Sequence, residues 1–310
     1  MDQNAPLVTI GMPTDNGAQY LVASIDALLA QDYPNFQLVI SDNCSTDGPE
    51  ACIQRSGLVR YVRQATNLGA SANFNHALSL AQGKYFMWAA DHDLWEPALI
   101  SRCVAALEAF PEAVLAYPQS LLIDENGAVL EEMDDQIDLG QPTALARYKH
   151  LIWRLDICNM IYGVARREAL VSTGGFPDGL SPDHVVLARL VLQGPVLRVG
   201  GHLYLRRQNR APESDVERRT RTLATLHPPM ARDHASIPES RLNRDLRDLH
   251  IRAVRESLLS FIQKLDGSVA TLACFRDRFG VGSGLVKMLG GVARVTRLRG
   301  RLYRQFGVGA

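Results

Sequence analysis

Short apolar runs of strand length alternate with segments of helical spacing from the start of the chain. Residues 6–12 form a β-rich run that Pro13 closes. Residues 18–31 then place Leu21, Ile25, Leu28 and Leu29 at the spacing of one helical face. The same rhythm predicts strands over 36–41, 58–62 and 84–90 and helices over 71–81 and 97–110, the last with Pro97 in its permitted first turn. Strands separated by crossover helices predict an α/β fold, a mostly parallel sheet flanked by helices. Ligands of such sheets bind outside the carboxyl ends of the strands. That rule gathers the turn after the first strand, Asp42, Asn67 and Asp91 at one edge.

Beyond about residue 112 the rhythm changes. Residues 113–117 predict a strand, 124–127 a turn and 131–138 an acidic loop, and this half is expected to receive a second substrate. Residues 208–240, rich in Arg, Pro, Ser and His, read as a loop, and 241–265 show helical spacing at Leu246, Leu249, Val254, Leu258 and Ile262.

Composition adds two constraints. The 310 residues are 46% hydrophobic and 21% charged, enough for a full core and against general disorder. The net charge of zero conceals a basic end: residues 241–310 carry 14 Lys and Arg against 5 Asp and Glu, so the body is acidic. From residue 285 to 306 apolar positions recur every three or four residues, with Lys287, Arg294, Arg297, Arg301 and Arg304 largely opposite. This pattern predicts a basic amphipathic helix that lies on an anionic membrane surface or packs on protein, a second copy of the chain included. Sparse aromatic residues and the acidic body argue against nucleic acid.

Five scattered cysteines without a C-x-x-C pair read as reduced thiols. The start lacks the basic and apolar regions of a signal peptide, and no run approaches the ~18 apolar residues of a membrane span. The expectation is a cytoplasmic protein, with the basic end as its route to the inner face of the plasma membrane.

The candidate chemistry centres on Asp91-His92-Asp93, at the end of the apolar run 85–90. Two carboxylates one residue apart at a strand end can hold a divalent cation against a diphosphate. His92 reads as a support, because adjacent side chains diverge. Asp42 lies in a turn-rich stretch that would be acidic and polar on structural grounds alone.

These residues resemble the family 2 glycosyltransferases, inverting nucleotide-sugar enzymes of the GT-A fold, across roughly residues 6–210. The resemblance rests on Val8-Thr9-Ile10-Gly11-Met12-Pro13-Thr14; on residues 31–48, which include Asp32-Tyr33-Pro34 and Ser41-Asp42-Asn43; and on Asn67-Leu68-Gly69, Gly83-Lys84-Tyr85 and the acidic triplet. It implies a GT-A catalytic domain over 1–210, with a nucleotide-binding half (about 1–112) and an acceptor half (about 113–210), a linker over 211–240 and a basic, mainly helical region over 241–310.

It also implies roles. Thr9, Pro13 and Thr14 border the nucleobase, Asp42 accepts from it and Asn67 sits nearby. Asp91 contacts the ribose, and Asp93 binds Mn²⁺ or Mg²⁺ bridging the phosphates. The general base is the acid at the start of a later helix, here Asp183 in Ser181-Pro182-Asp183-His184, with His184, which stands where a second acid is common, as the alternative base. The alternative for Asp183 is an acid placed to suit the helix dipole.

Residues 159–170 look like the acceptor-side segment, with Tyr162 and Gly163 as contacts and Trp95 either a packing residue or a sugar platform. Arg206 or Arg207, on a closing strand over 203–208, is a diphosphate clamp or a solvated pair; Gln208 stands where the family often has His. The implied partners are a nucleoside-diphosphate sugar donor and a glycan or lipid-linked glycan acceptor of bacterial cell-surface polysaccharide synthesis. The rival readings are a non-catalytic relative that binds sugar or nucleotide and a sugar nucleotidyltransferase. The latter would want an early Gly-rich basic loop, which Gly11-Met12-Pro13-Thr14 lacks.

Overall fold

The structure is a computed structural model and describes residues 5–53, 57–179, 181–208, 239–257 and 259–279. The predicted linker and the predicted amphipathic helix over 285–306 therefore lie outside the described residues, as does the start of the chain.

Four parallel strands form one half of a nine-stranded sheet: β1 (Val8–Thr14), β2 (Phe36–Asp42), β3 (Val59–Arg63) and β4 (Tyr85–Trp88), in the order β3-β2-β1-β4. The crossovers are the helices α1 (Ala18–Leu29) and α2 (Ala70–Ser79), at the predicted places but shorter by one or two residues at their ends. The short strand β5 (Leu94–Trp95) and helix α3 (Leu99–Ala109) follow. Pro97 precedes the N-cap Ala98 rather than occupying the first turn.

The second half of the sheet is mixed. Strand β6 (Leu115–Ile123) is longer than predicted and pairs with the hairpin strand β7 (Val129–Glu132), which occupies the start of the predicted acidic loop. Helix α4 (Ala144–Arg154) leads to a 3-10 turn (Asn159–Tyr162), strand β8 (Val164–Arg166) and helix α5 (Arg167–Ser172). Helix α6 (Pro182–Gln193) and strand β9 (Val196–Arg207) complete it. The sheet continues from β4 as β8-β6-β9-β5, with β8 antiparallel to both neighbours and β6 parallel to β9.

Alternation along β1 explains the layering. Val8, Ile10 and Met12 are fully buried with α1 and α3 on one face, while Phe86 and Trp88 of β4 join a core with α4 and α6 on the other. Two further helices, α7 (Glu239–Glu256) and α8 (Phe261–Phe279), close this second core through Val254, Ala270 and Cys274.

The single helix expected over 241–265 is interrupted after Glu256. Ser257 Oγ donates to the Val254 carbonyl at 2.6 Å, and Ser260 and Gln263 then cap each other's backbone amides, a reciprocal box that starts α8. Gly267 lets the two helices close up, since a Cβ there would meet Val254 Cγ1 at 2.8 Å.

Candidate active site

The register of the parallel strands aligns Thr14 with Asp42 and Asp42 with Arg63 at the carboxyl edge. Strand β4 ends beside them, and the chain runs through Ala89 and Ala90 into the acidic triplet. Thr14 Oγ1 donates to Asp91 Oδ2 at 2.6 Å, which ties the first strand end to the fourth. Gly17 makes room for this: a Cβ there would meet Asp91 Oδ2 at 2.1 Å. His92 Nδ1 lies 2.8 Å from Asp91 Oδ1, so these adjacent side chains meet rather than diverge.

Asp93 is almost wholly buried. Its Oδ1 accepts the Arg207 amide at 2.7 Å, and its Oδ2 accepts from the Tyr204 hydroxyl. Tyr204 also stacks on Trp95 and contacts Tyr162, forming an aromatic floor. Burial and the Asp93 carboxylate push the Tyr204 phenol well above its ordinary range, so it remains a neutral donor. Among the described residues no three His, Cys, Asp or Glu side chains cluster as a metal cage. A diphosphate-bridging Mg²⁺ or Mn²⁺ does not require one, because such ions take one or two carboxylates plus phosphate oxygens. A carboxylate fixed by two donors, with acceptor directions to spare and a second carboxylate and an imidazole beside it, suits an ion that arrives with a diphosphate.

Helix α6 starts at Ser181, held at a left-handed φ of 48°, with Pro182 in the first turn, which aims Asp183 and His184 from the helix start. The Tyr162 phenol is raised by burial and by the charges of Asp93 and Asp183, and also lies within Coulombic reach of Arg206 and Asp91. Cys158 is raised by burial and by Asp183. His184 is lowered, chiefly by burial and against the pull of Asp183. Asp93 is thus linked through Tyr204 to Tyr162, and Arg206 is bonded to Asn159 on the 3-10 turn that carries Tyr162.

Other predicted residues stand elsewhere or are otherwise engaged. Thr9 lies five positions back from Thr14, fully buried, donating to the Gln82 carbonyl and accepting from Gln37 and the Gln82 amide. Its place beside a nucleobase is corrected to an internal strut. Pro13 is buried in β1 opposite Ser41.

Asp42 is fully buried and accepts from Ser45 N, the Tyr61 hydroxyl and Arg63 Nη1 at 2.9, 2.5 and 2.9 Å. Burial acts to raise its carboxyl, but these donors outweigh it and hold the group below the usual range. Asp42 is shielded from solvent, whereas Arg63, Asn67 and Asp15 at this edge are exposed. Asn67 bonds Asp15 and Asn43 there.

Trp95 is 3% exposed within the core, a packing residue and not a sugar platform. Gly163 serves close packing of β8 on β6, not a sugar: a Cβ would meet the Ala116 carbonyl oxygen at 2.4 Å. Arg207 turns inward, its guanidinium bonded to the carbonyls of His92, Asp124 and Glu125 and lying over the Tyr20 ring, so it is no diphosphate clamp. Arg206 is exposed. Sequence reasoning gave no site role to Tyr204, Asn159, Tyr61 or Arg63, although Tyr204 stood on the predicted closing strand, Asn159 at the head of the acceptor-side segment and Tyr61 in a predicted strand.

The strand order, the acidic strand end and the flanking helices are those of the GT-A fold, and solved structures agree. S. aureus TarS 1-349 in complex with UDP-GlcNAc superposes with a TM-score of 0.64 at 18% identity, over 88% of this chain and 73% of that one. The mannosyltransferase PcManGT from Pyrobaculum calidifontis, in complex with GDP-Man and Mn²⁺, gives 0.51 at 18% identity, over 98% and 84%. Residues 9–133 match the sequence model of Glycosyl transferase family 2.

The putative colanic acid biosynthesis glycosyl transferase WcaA of Escherichia coli is 37% identical over 103 residues, 32% of this chain and 37% of the relative. The putative glycosyltransferase EpsE of Bacillus subtilis is 30% identical over 129 residues, 40% and 46%. The putative teichuronic acid biosynthesis glycosyltransferase TuaG of B. subtilis is 32% identical over 95 residues, 29% and 38%. The chain thus spans less than half the length of these curated relatives.

Proposed function

We propose that the chain is an inverting glycosyltransferase that moves a sugar from a nucleoside-diphosphate donor to an acceptor hydroxyl in the assembly of a bacterial cell-surface glycan. The observation that carries this reading is the acidic strand end Asp91-His92-Asp93, joined through Tyr204 to Tyr162, with Arg206 bonded to Asn159 on the same 3-10 turn as Tyr162. The diphosphate side has carboxylates for a cation and an exposed guanidinium. The acceptor side has a carboxylate at a helix start.

In this reading Asp183 takes the proton of the acceptor hydroxyl as its oxygen bonds to the anomeric carbon, while the bond from that carbon to the diphosphate oxygen breaks on the opposite face. Asp93, oriented by Tyr204 and the Arg207 amide, and Asp91 would hold Mn²⁺ or Mg²⁺ on the phosphates. That ion supplies charge stabilisation as the leaving group departs. Arg206 adds positive charge from the protein itself. Thr14, Pro13, Asn67 and the Asp42-supported Arg63 border the nucleoside, and Tyr162 the acceptor.

The names of WcaA and TuaG, from colanic and teichuronic acid biosynthesis, support a polysaccharide or lipid-linked acceptor. A lipid-linked acceptor would place the reaction at the cytoplasmic face of the membrane. No helix among the described residues is long and apolar enough to cross a membrane. Any membrane contact or homo-oligomer contact through the predicted basic helix over 285–306 rests on residues outside the described ones.

Donor hydrolysis and transfer, followed with a panel of sugar nucleotides with and without Mn²⁺, test the reading. Asp183→Asn should lower transfer by about 10²–10⁴-fold, the usual scale of general base catalysis, with donor binding retained. Undiminished transfer by that variant would remove Asp183 from the base role. Donor binding with no turnover under any condition would favour the non-catalytic reading.

A further inference from the structure

We infer that Asp135 and Asn159 form a buried positioning relay that holds Arg206 at the diphosphate side of the site. The inference rests on the reading of Arg206 given above. Arg206 is exposed on β9, and a long exposed arginine ordinarily samples many rotamers. Here its Nη1 donates to Asn159 Oδ1 at 3.3 Å. Asn159 opens the 3-10 turn that carries Tyr162, is 5% exposed, and donates through Nδ2 to Asp135 Oδ2 at 2.9 Å, with Met133 Sδ at 3.3 Å beside it. Asp135 is 3% exposed, and its other oxygen faces the Ser120 amide at 3.4 Å.

The chemistry of the pair sets a direction. An ionised carboxylate only accepts hydrogen bonds, so it takes the NH₂ end of the Asn159 amide. The carbonyl end is left facing Arg206, an acceptor for a guanidinium that only donates. A carboxylate used in this way fixes the orientation of the group that touches the functional residue, as second partners do for metal-ligating histidines. The relay also gives the buried Asp135 charge a cation at one remove, which lessens the cost of keeping it from water. A direct Asp–Arg pair would neutralise the guanidinium; an intervening neutral amide holds it in place and leaves its charge for a phosphate. Asp135 comes from the loop after β7, Asn159 from the turn before β8 and Arg206 from β9, so the relay also ties three segments of the acceptor half to the site.

The test compares the full chain with Arg206→Ala, Asp135→Asn, Asn159→Leu and the Asp135→Asn/Arg206→Ala double variant. Affinity for the sugar nucleotide the wild type uses is measured by calorimetry, turnover by transfer assay, and guanidinium mobility by NMR of ¹⁵N-arginine side chains. The relay predicts that Asp135→Asn, which keeps size and lets the Asn159 amide flip, weakens donor affinity by about half an order of magnitude or more and frees the Arg206 guanidinium to rotate. It also predicts no further loss on adding Asp135→Asn to Arg206→Ala, because coupled residues are not additive.

A merely structural role for Asp135 would give additive losses and an unchanged Arg206 signal, and would overturn the relay. If Arg206→Ala leaves affinity and turnover intact, the functional reading of Arg206 fails, and the claim that the relay serves the donor falls with it. If Arg206→Ala weakens binding while Asp135→Asn and Asn159→Leu do not, only the relay is overturned. Should Asn159→Leu fail to fold, the near-isosteric Asp135→Asn decides.

Discussion

Tyr204→Phe removes one hydroxyl from the aromatic floor and keeps the ring, so its contacts with Trp95 and Tyr162 persist. What disappears is the donor to Asp93 Oδ2 in a place where Tyr204 is 2% and Asp93 1% exposed. Asp93 then keeps the Arg207 amide, on its other oxygen, with His92 Nε2 3.9 Å from that oxygen. A hydrogen bond to a charged group contributes about 1.5–3 kcal/mol, and an acceptor left buried without a partner costs a similar amount, so the variant should lose about 2 kcal/mol of unfolding free energy. Urea unfolding at neutral pH measures this as a lower midpoint with an unchanged slope. In a double-mutant cycle with Asp93→Asn the two changes should couple by about 0.5–3 kcal/mol. A loss below about 0.5 kcal/mol, the scale of an ordinary surface substitution, with full additivity would refute the argument that this hydroxyl holds the carboxylate.

Three further outcomes follow from the geometry. The Asp42 carboxyl is held below its ordinary range, so its contribution is complete above the unfolded value of about 3.9 and disappears as pH falls through the folded value. Asp42→Asn should therefore flatten the acid side of a plot of urea midpoint against pH, and an unchanged acid side would contradict the assignment. Gly163→Ala forces a methyl group onto the Ala116 carbonyl and should cost about 1–3 kcal/mol, read by denaturant unfolding. The two neighbouring arginines should separate: Arg207→Ala loses charge-assisted bonds to part-buried carbonyls and about 3 kcal/mol of stability. Arg206→Ala should stay within about 0.5 kcal/mol of wild type in unfolding while weakening donor binding in calorimetry.

The parallel half of the sheet was legible because its signals are local. Apolar runs such as 36–41 and 84–90 sit between helical spacings, and residues 9–133 carry the family pattern. The triplet was legible for the same reason, since Asp91, His92 and Asp93 are adjacent and stand where a strand emerges. The partners of that triplet were not. Tyr204 lies 111 positions from Asp93 and Asn159 lies 47 from Arg206, separations closed by the pairing of β9 with β5 for the first and by the sheet order β8-β6-β9 for the second.

The choice between Arg206 and Arg207 stayed open because side chains alternate along a strand, and only the observed register shows which faces in. Asp42 was expected at a ligand surface because it ends a strand and matches the family pattern, and Gly163 because it lies in the acceptor-side segment. Tyr61 and Arg63 surround the first and β6 fills the space beside the second, facts of packing that no local pattern encodes. The break between α7 and α8 was written in Ser260 and Gln263, a capping pair overlooked inside a continuous apolar spacing.

Calorimetric titration of UDP, GDP and dTDP with and without Mn²⁺, on the wild type and on Asp93→Ala, tests the central claim most directly. The account predicts that one nucleotide binds in a metal-dependent way and that the binding is lost in the variant. No binding of any of the three under either condition would contradict the donor site and the transferase built on it.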